Sequence, residues 1–377
     1  MAILDDAGAI DTAVEGLLET LARWLANDVV PHVLELEHAD EYPHAMVEQM
    51  REFGLFAATI PEEHGGLGLG SVEAALVLEQ IGRNLTPSPF LTTAVVAARA
   101  IEGTAHAERW YPGILSGEAV LALAVDESPR HGPEKIALSA ERRGNGFMLN
   151  GAKQFVVHGA SADMVLTAAR TGGSPGEREG ITVFAIPRDA AGLEVENVVL
   201  ADSSHAARLT FSNVEVDADA VVGEVDNGWV PLSRALNAGR AGAAAELVGV
   251  AAGASNMTVD YLKQRKQFGK FIGEFQALQH RAAHLYAEIE IARAAALKAA
   301  QLIDSGDDRA ELSISVGKAK AADVANLAVR EGVQMHGGIG MTDEHDIGLF
   351  MKREAVLGEM FGDVYCHRER VAALMGY

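Results

Sequence analysis

Arg265-Lys266-Gln267-Phe268-Gly269, then Phe275-Gln276, then Gln334-Met335-His336-Gly337-Gly338-Ile339-Gly340, is the part of the chain whose reading decides the fold. The first segment sets a fixed cation and an aromatic face just beyond a helical run that ends near Lys263. The last sets a side-chain amide beside glycines whose backbone a ligand can approach closely. Arg265 can fork onto a pyrophosphate and Phe268 can cover an adenine. Gln276 and Gln334 can bond ring or ribitol atoms, and Gly337 and Gly338 can admit a phosphate to hydrogen-bonding distance. An extended, anionic flavin dinucleotide uses all of these groups. Any one of them alone reads as a helix end or a flexible loop, so their order and spacing carry the reading.

Outward from this set the chain changes texture twice. Residues 1–118 read as helices broken by loops. Over 14–30 apolar residues such as Leu17, Leu18, Leu21, Trp24 and Leu25 recur at three-to-four spacing until Pro31 interrupts them, and 72–81 repeats the pattern. Over 119–222 short apolar or alternating runs are punctuated by Gly, Pro, Asn and Asp, with no helical period between them, which predicts a small antiparallel β domain. Over 223–377 the helical period returns. Leu278, Ala282, Leu285, Ile289, Ala292, Ala296, Ala299 and Ile303 form a seam long enough for a helix of ~40 Å, and its alanines permit the close approach of a four-helix bundle or an oligomer interface. The expected fold is mostly α with a β middle domain.

Bulk properties narrow the classes. A chain of 377 residues is too long for one compact core. A formal net charge of −22 opposes nucleic acid and acidic membrane as partners, and it would also repel an anionic CoA thioester unless local cations line the site. The single cysteine, Cys366, excludes an internal disulfide framework and fits a reducing compartment. No basic-then-apolar leader and no run of ~18 apolar residues is present, which predicts a soluble cytoplasmic protein. His280 and His284 lack the intervening Glu of a zinc helix, so no metal is expected.

With these motifs in place, the chain resembles the acyl-CoA dehydrogenase family over nearly all of its length. Arg51-Glu52-Phe53-Gly54-Leu55-Phe56 and Ile60-Pro61-Glu62-Glu63-His64-Gly65-Gly66-Leu67-Gly68 look like that family's N-terminal helix end and loop. Gly151-Ala152-Lys153-Gln154-Phe155-Val156 and Phe211-Ser212-Asn213-Val214-Glu215-Val216 look like two of its middle-domain strands. Arg240 with Gly249, and the blocks around Arg265 and Gln334, look like its C-terminal helical domain. The resemblance implies FAD as cofactor and α,β-dehydrogenation of an acyl-CoA to a trans-2-enoyl-CoA, with electrons passed to an electron-transfer flavoprotein. In the family a carboxylate takes the α-proton while the β-hydrogen leaves as hydride.

The chain departs from the family at that carboxylate. Where most members carry a Glu-Gly-Thr base, this sequence reads Phe361-Gly362-Asp363. Asp363 is a candidate base from a shifted position, and equally a candidate N-cap for a helix starting near Tyr365. A second family solution puts the base just before Arg240, but that residue is Gly239. Glu246, seven residues further along and ~10 Å up the same helix, is the other candidate, with pairing to an arginine such as Arg240 or Arg265 as the structural alternative. The middle domain departs as well. Asp126-Glu127-Ser128-Pro129-Arg130-His131-Gly132 replaces the family's Thr-Glu-Pro-x-Ala-Gly-Ser, and Phe155-Val156-Val157 replaces Trp-Ile-Thr/Ser.

Two assemblies follow from the resemblance. One is a homotetramer whose base is Asp363 or Glu246. The other is an α2β2 heterotetramer in which this chain lacks the base and completes the flavin pockets of a second dehydrogenase subunit. A flavin oxidase or a non-catalytic binding protein on the same fold stays open beside them.

Overall fold

The computed structural model describes residues 44–377 together with Gly16, Thr20, Leu21, Arg23 and Trp24. Of the helix expected over 14–30, those five residues are helical, with Leu21 and Trp24 buried; Leu17, Leu18, Leu25 and Pro31 lie outside the described residues. The helical N-terminal part then comprises α1 (His44–Glu52), α2 (Ser71–Arg83), a π-helical stretch Phe90–Ala97 running on into α3 (Ala98–Ile101), and α4 (Ala105–Leu115). The three-to-four spacing in α2 buries Ala74, Ala75, Leu78 and Ile81. The start of α2 is fastened from a distance, because the Asp304 carboxylate accepts from the N–H groups of Ser71 (2.7 Å) and Val72 (3.1 Å).

The middle part is one sheet of β1 (Leu121–Ala124), β2 (Ser139–Arg143), β3 (Gly146–Val157), β4 (Met164–Arg170), β5 (Ile181–Pro187), β6 (Leu193–Val199), β7 (His205–Val216) and β8 (Val221–Val222), ordered β6-β7-β3-β2-β4-β5-β8 with β1 beside β4. Most neighbours are antiparallel, as the punctuated runs predict. The expectation of a wholly antiparallel sheet is corrected at β4, which runs parallel to β1 and to the end of β2. The β2–β3 hairpin lies between β1 and β4 in the chain and serves as the crossover that a parallel pair requires. β4 is buried along its whole length, as befits a strand covered on both faces.

Beyond the sheet come α5 (Trp229–Gln264), the short hairpin strands β9 (Lys266–Gln267) and β10 (Lys270–Phe271), then α6 (Gln276–Asp304), α7 (Ala310–His336), α8 (Ile347–Glu359) and α9 (Val364–Leu374). α5, α6 and α7 pack on one another, and α8 and α9 lie against α7. The seam read from sequence is the buried stripe of α6 at Leu285, Ile289, Ala292, Ala296 and Ala299. α5 meets α2 at glycines. A Cβ at Gly82 would stand 2.1 Å from the Glu246 carbonyl oxygen, and one at Gly249 would stand 2.1 Å from that of Glu79, so the two helix backbones touch. No described helix is long and apolar enough to cross a membrane.

Candidate functional site

Two separate places carry the candidate chemistry. The first is the end of the bundle where α5 and α7 stop. Arg265 leaves α5 in an extended conformation, and the chain doubles back through β9 and β10 around Phe268 (φ 56°) and Gly269 (φ 82°), a two-residue turn of left-handed residues. Phe268 is unusual in that conformation and is 92% exposed. Lys270 Nζ lies 4.1 Å over the ring of Phe275, and Lys266 Nζ lies 4.5 Å over that of Phe271, so the hairpin is cationic and aromatic together. Gln276 opens α6, where the helix N-terminus adds partial positive charge.

Gln334 lies in the last turn of α7, and Gly337 (φ 66°) ends that helix. The ring of Tyr261 stands 4.5 Å from that of His336, which stands 4.2 Å from His345. This stack joins the end of α5 to the end of α7 and so brings the Arg265 and Gln334 segments to one edge. Arg265, Phe268, Gln276, Gln334, Gly337 and Gly338 are all exposed. A Cβ at Gly337 or Gly338 would meet nothing, and the free guanidinium, amides and aromatic face suit the anionic, adenosine-bearing part of an extended dinucleotide. The six residues chosen from sequence are therefore together and open.

The second place is a cavity of about 40 Å³ between sheet and bundle. Thr92 and Val96 come from the π-helical stretch, Leu123, Val125 and Asp126 from the end of β1, Phe155 and Val157 from β3, Leu236 from α5, His131 from the loop after β1, and Met360 and Phe361 from the α8–α9 loop. Phe155 reaches it because β3 slips register against β7 between Lys153 and Val156, with Phe155 itself at φ 55°. The volume holds about three waters. An isoalloxazine ring does not fit the cavity as it stands, while the exposed edge does fit the other end of the molecule.

Neither position at which the resembling family places its base carries a carboxylate. Phe361 has a left-handed backbone (φ 59°), and its ring covers Gly239, where a Cβ would come 2.9 Å from it. Buried donors fix that loop. Lys318 Nζ donates to the carbonyls of Leu357 (3.1 Å), Gly358 (3.0 Å) and Gly362 (3.3 Å), and burial pushes it down to about 8. His367 Nε2 lies 3.2 Å from the Phe361 carbonyl and carries the proton of that bond. Burial, with Lys318, Arg240 and Arg370 beside it, pushes the ring down to about 2, so it is neutral.

Asp363 lies at the start of α9, and its carboxylate accepts from Cys366 N–H at 2.6 Å, the capping geometry. Glu246 is 1% exposed and is gripped by Arg353 through Nε (3.1 Å) and Nη2 (2.5 Å). The expected partners, Arg240 and Arg265, are corrected to Arg353 of α8, whose Nη1 also holds Asp202 at 2.7 Å. Neither carboxylate lines the cavity.

Sequence reasoning passed over the polar corner of that cavity. His131 Nδ1 lies 3.0 Å from both oxygens of Asp126, and Arg240 Nη2 donates to His131 Nε2 at 3.3 Å. Asp126 and His131 sit in a loop without periodicity, so their only signal was the departure of 126–132 from the family pattern. Below them Lys153, 1% exposed, donates to Glu127 (2.6 Å) and to the Val125 carbonyl (3.0 Å).

Comparison with known proteins agrees with this architecture part by part. Residues 13–118, 128–214 and 226–376 match the family models described as the N-terminal, middle and C-terminal domains of acyl-CoA dehydrogenase. The chain is 31% identical to acyl-CoA dehydrogenase FadE12 of Mycobacterium tuberculosis, covering 89% of each chain. It is 30% identical to cyclohex-1-ene-1-carbonyl-CoA dehydrogenase of Geobacter metallireducens, covering 89% of this chain and 90% of that one. Among solved structures it is similar to a steroid ACAD named by two components, Tcur3481-Tcur3483, at 28% identity and a TM-score of 0.86, covering 96% of this chain and 98% of that one.

Proposed function

This chain belongs to the acyl-CoA dehydrogenase family, oxidoreductases acting on CH–CH groups, and from that premise we propose that it serves FAD-dependent α,β-dehydrogenation of an acyl-CoA thioester as a subunit without its own base. In this reading a second dehydrogenase subunit supplies the carboxylate and most of the ring pocket. The present chain lends Arg265, Phe268, Gln276, Gln334, Gly337 and Gly338 across the interface of an α2β2 assembly. The product is a trans-2-enoyl-CoA, and the electrons pass to an electron-transfer flavoprotein.

The observation that carries the reading is the Phe361 ring on Gly239, which fills both base positions with carbon. The exposed flavin-edge residues support it, because Phe268 at 92% exposure is costly in water and useful under a partner's adenine. The two-component name of the steroid ACAD to which the chain is similar supports the same assembly.

The test is the visible spectrum of the purified chain, alone and after co-expression with a second acyl-CoA dehydrogenase subunit. Alone it should be colourless. The pair should be yellow, should bleach on anaerobic addition of a suitable acyl-CoA, and should lose flavin with Arg265→Ala or Phe268→Ala while still co-purifying. A yellow chain that bleaches by itself would restore the homotetramer with Asp363 or Glu246 as base. Absence of flavin with every partner would favour a binding role.

A further inference from the structure

Tyr261, His336 and His345 close a triangle of rings at the end of the bundle. The centroid of His336 stands 4.5 Å from that of Tyr261 and 4.2 Å from that of His345, and Tyr261 meets His345 edge-on at 6.1 Å. Each ring belongs to a different segment. Tyr261 is in the last turn of α5, and its carbonyl accepts from the Arg265 N–H at 2.9 Å. His336 is the last residue of α7, with Gln334 two residues before it and Gly337 next to it. His345 lies in the connection to α8, where its Nδ1 accepts from the Ile347 N–H at 3.2 Å. His336 is 2% exposed although Gln334 and Gly337 are exposed on either side, so it pins the flavin-edge segment of α7 to the bundle.

The protonation state of His336 follows from its bonds. Its Nδ1 lies 2.7 Å from the Gly332 carbonyl, which can only accept, so Nδ1 carries the ring proton. Nε2 is shut away from solvent with no partner, an acceptor without a donor. Charging the ring would add a second N–H where nothing accepts it, in contact with another imidazole. Among the described residues, Tyr261 of α5 and His345 of the α7–α8 connection are the ionisable groups packed against it. Gly332 of α7 and Gly340 of the glycine turn, where a Cβ would stand 2.9 Å from the His336 Cβ, carry no charge. Burial, with His345 acting in the same direction, holds the ring below the usual imidazole range. The unfolded chain therefore binds the proton first as pH falls below about 6.5, and the stack loses stability in acid.

We propose that His336 is a positioning residue for the flavin edge: stacked and neutral, it fixes the Gln334–Gly338 segment against the segment that begins at Arg265, and protonating it parts the two. It acts through its neighbours, because the guanidinium, amides and glycines of the edge serve one ligand only while the two segments stay together. Acid then releases that ligand without any change at the cavity between sheet and bundle. The nature of the ligand rests on the shared-flavin reading, whereas the coupling between the ring and the two segments does not.

Amide hydrogen exchange of the whole protein tests the coupling, read over 261–270 and 334–346 at about pH 7.5 and about pH 5.5 and corrected for the intrinsic rate of exchange. Exchange of both segments should quicken about tenfold in acid while β4 stays unchanged. His336→Phe and His336→Gln, which cannot be charged and differ in packing, should each remove the acid response. A wild-type protein whose two segments exchange alike at both pH values, or an acid response that persists in a folded variant, would overturn the proposal. Flavin fluorescence of the yellow co-expressed pair tests the consequence. Acid should free flavin from the pair with wild-type His336 and leave it bound with His336→Phe, and flavin held equally by both at about pH 5.5 would sink the positioning role. Failure to obtain any yellow pair would count against the shared-flavin reading alone, since hydrogen exchange still decides on the ring.

Discussion

The ring of Phe361 rests on the backbone of Gly239, so that a Cβ built at Gly239 would stand 2.9 to 3.0 Å from three ring carbons. Each residue explains the other. Phe361 can lie flat on α5 only where the helix has no side chain, and Gly239, in the interior of a 36-residue helix that loses stability at each glycine, is tolerated because the ring uses the space. Phe361 is held in its left-handed conformation by the His367 and Lys318 contacts on its loop, which is the over-determination that such backbone strain requires.

Gly239→Ala tests this pairing through the sign of its effect. In the wild-type background overpacking against the ring should cost about 1–3 kcal/mol, more than the ~1 kcal/mol that alanine gains over glycine in a helix interior. In a Phe361→Leu background the clash is gone and the same substitution should stabilise. Urea unfolding of the four proteins as a double-mutant cycle reads the reversal, and equal effects in both backgrounds would mean that the ring is not seated on Gly239.

The exposure of the Arg265 and Gln334 segments and their place at helix ends were legible in the sequence because these features are local. Phe268 and Gly269 form one tight turn just after Arg265, and Gln334 with Gly337 lies at one helix end, so spacing alone sets their placement. Glu246 does pair with an arginine, the structural alternative to a base, but not with Arg240 or Arg265, the examples the sequence offers, for a reason visible in helix geometry. Arg240 lies six residues earlier, which turns it away from the Glu246 face, and Arg265 lies at the far end of α5. The true partner, Arg353, comes from α8, and no period within α5 encodes it. The same holds for Phe361 and Gly239: each departure could be found by counting from a motif, but their contact exists only once α5 and the α8–α9 loop have packed.

Amide variants separate structural from catalytic carboxylates. Asp363→Asn keeps an oxygen for Cys366 N–H and should change stability by no more than about 0.5 kcal/mol, whereas Asp363→Ala should cost about 1 kcal/mol. Glu246→Gln breaks a buried carboxylate's pair and leaves the half-buried Arg353 with Asp202 alone, and should cost about 3 kcal/mol. If both carboxylates are structural, the assembled enzyme keeps its kcat with Asp363→Asn and, below its lowered melting point, with Glu246→Gln. Loss of turnover by several orders of magnitude with either variant, folded and flavin-loaded, would make that residue the base.

Lys318 gives the fold a pH dependence with a definite sign. Burial lowers its pKa from 10.5 to about 8 in the folded chain, although three carbonyls accept from it. Between about pH 8 and 10.5 the unfolded chain keeps the proton that the folded chain has released, so the unfolded state binds more protons and stability rises with pH. Lys318→Met removes this titration and leaves the three carbonyls unserved, a cost that does not vary with pH. The difference in unfolding free energy between wild type and Lys318→Met should therefore move in favour of wild type across that window, by on the order of 3 kcal/mol in total. Lys153, lowered to about 8 by burial as well, is present in both proteins and cancels. Guanidinium titrations at a series of pH values measure the gap. A gap that stays flat from pH 8 to 10.5 would mean that the carbonyls of Leu357, Gly358 and Gly362 hold the ammonium charged in the folded state against the cost of burying it.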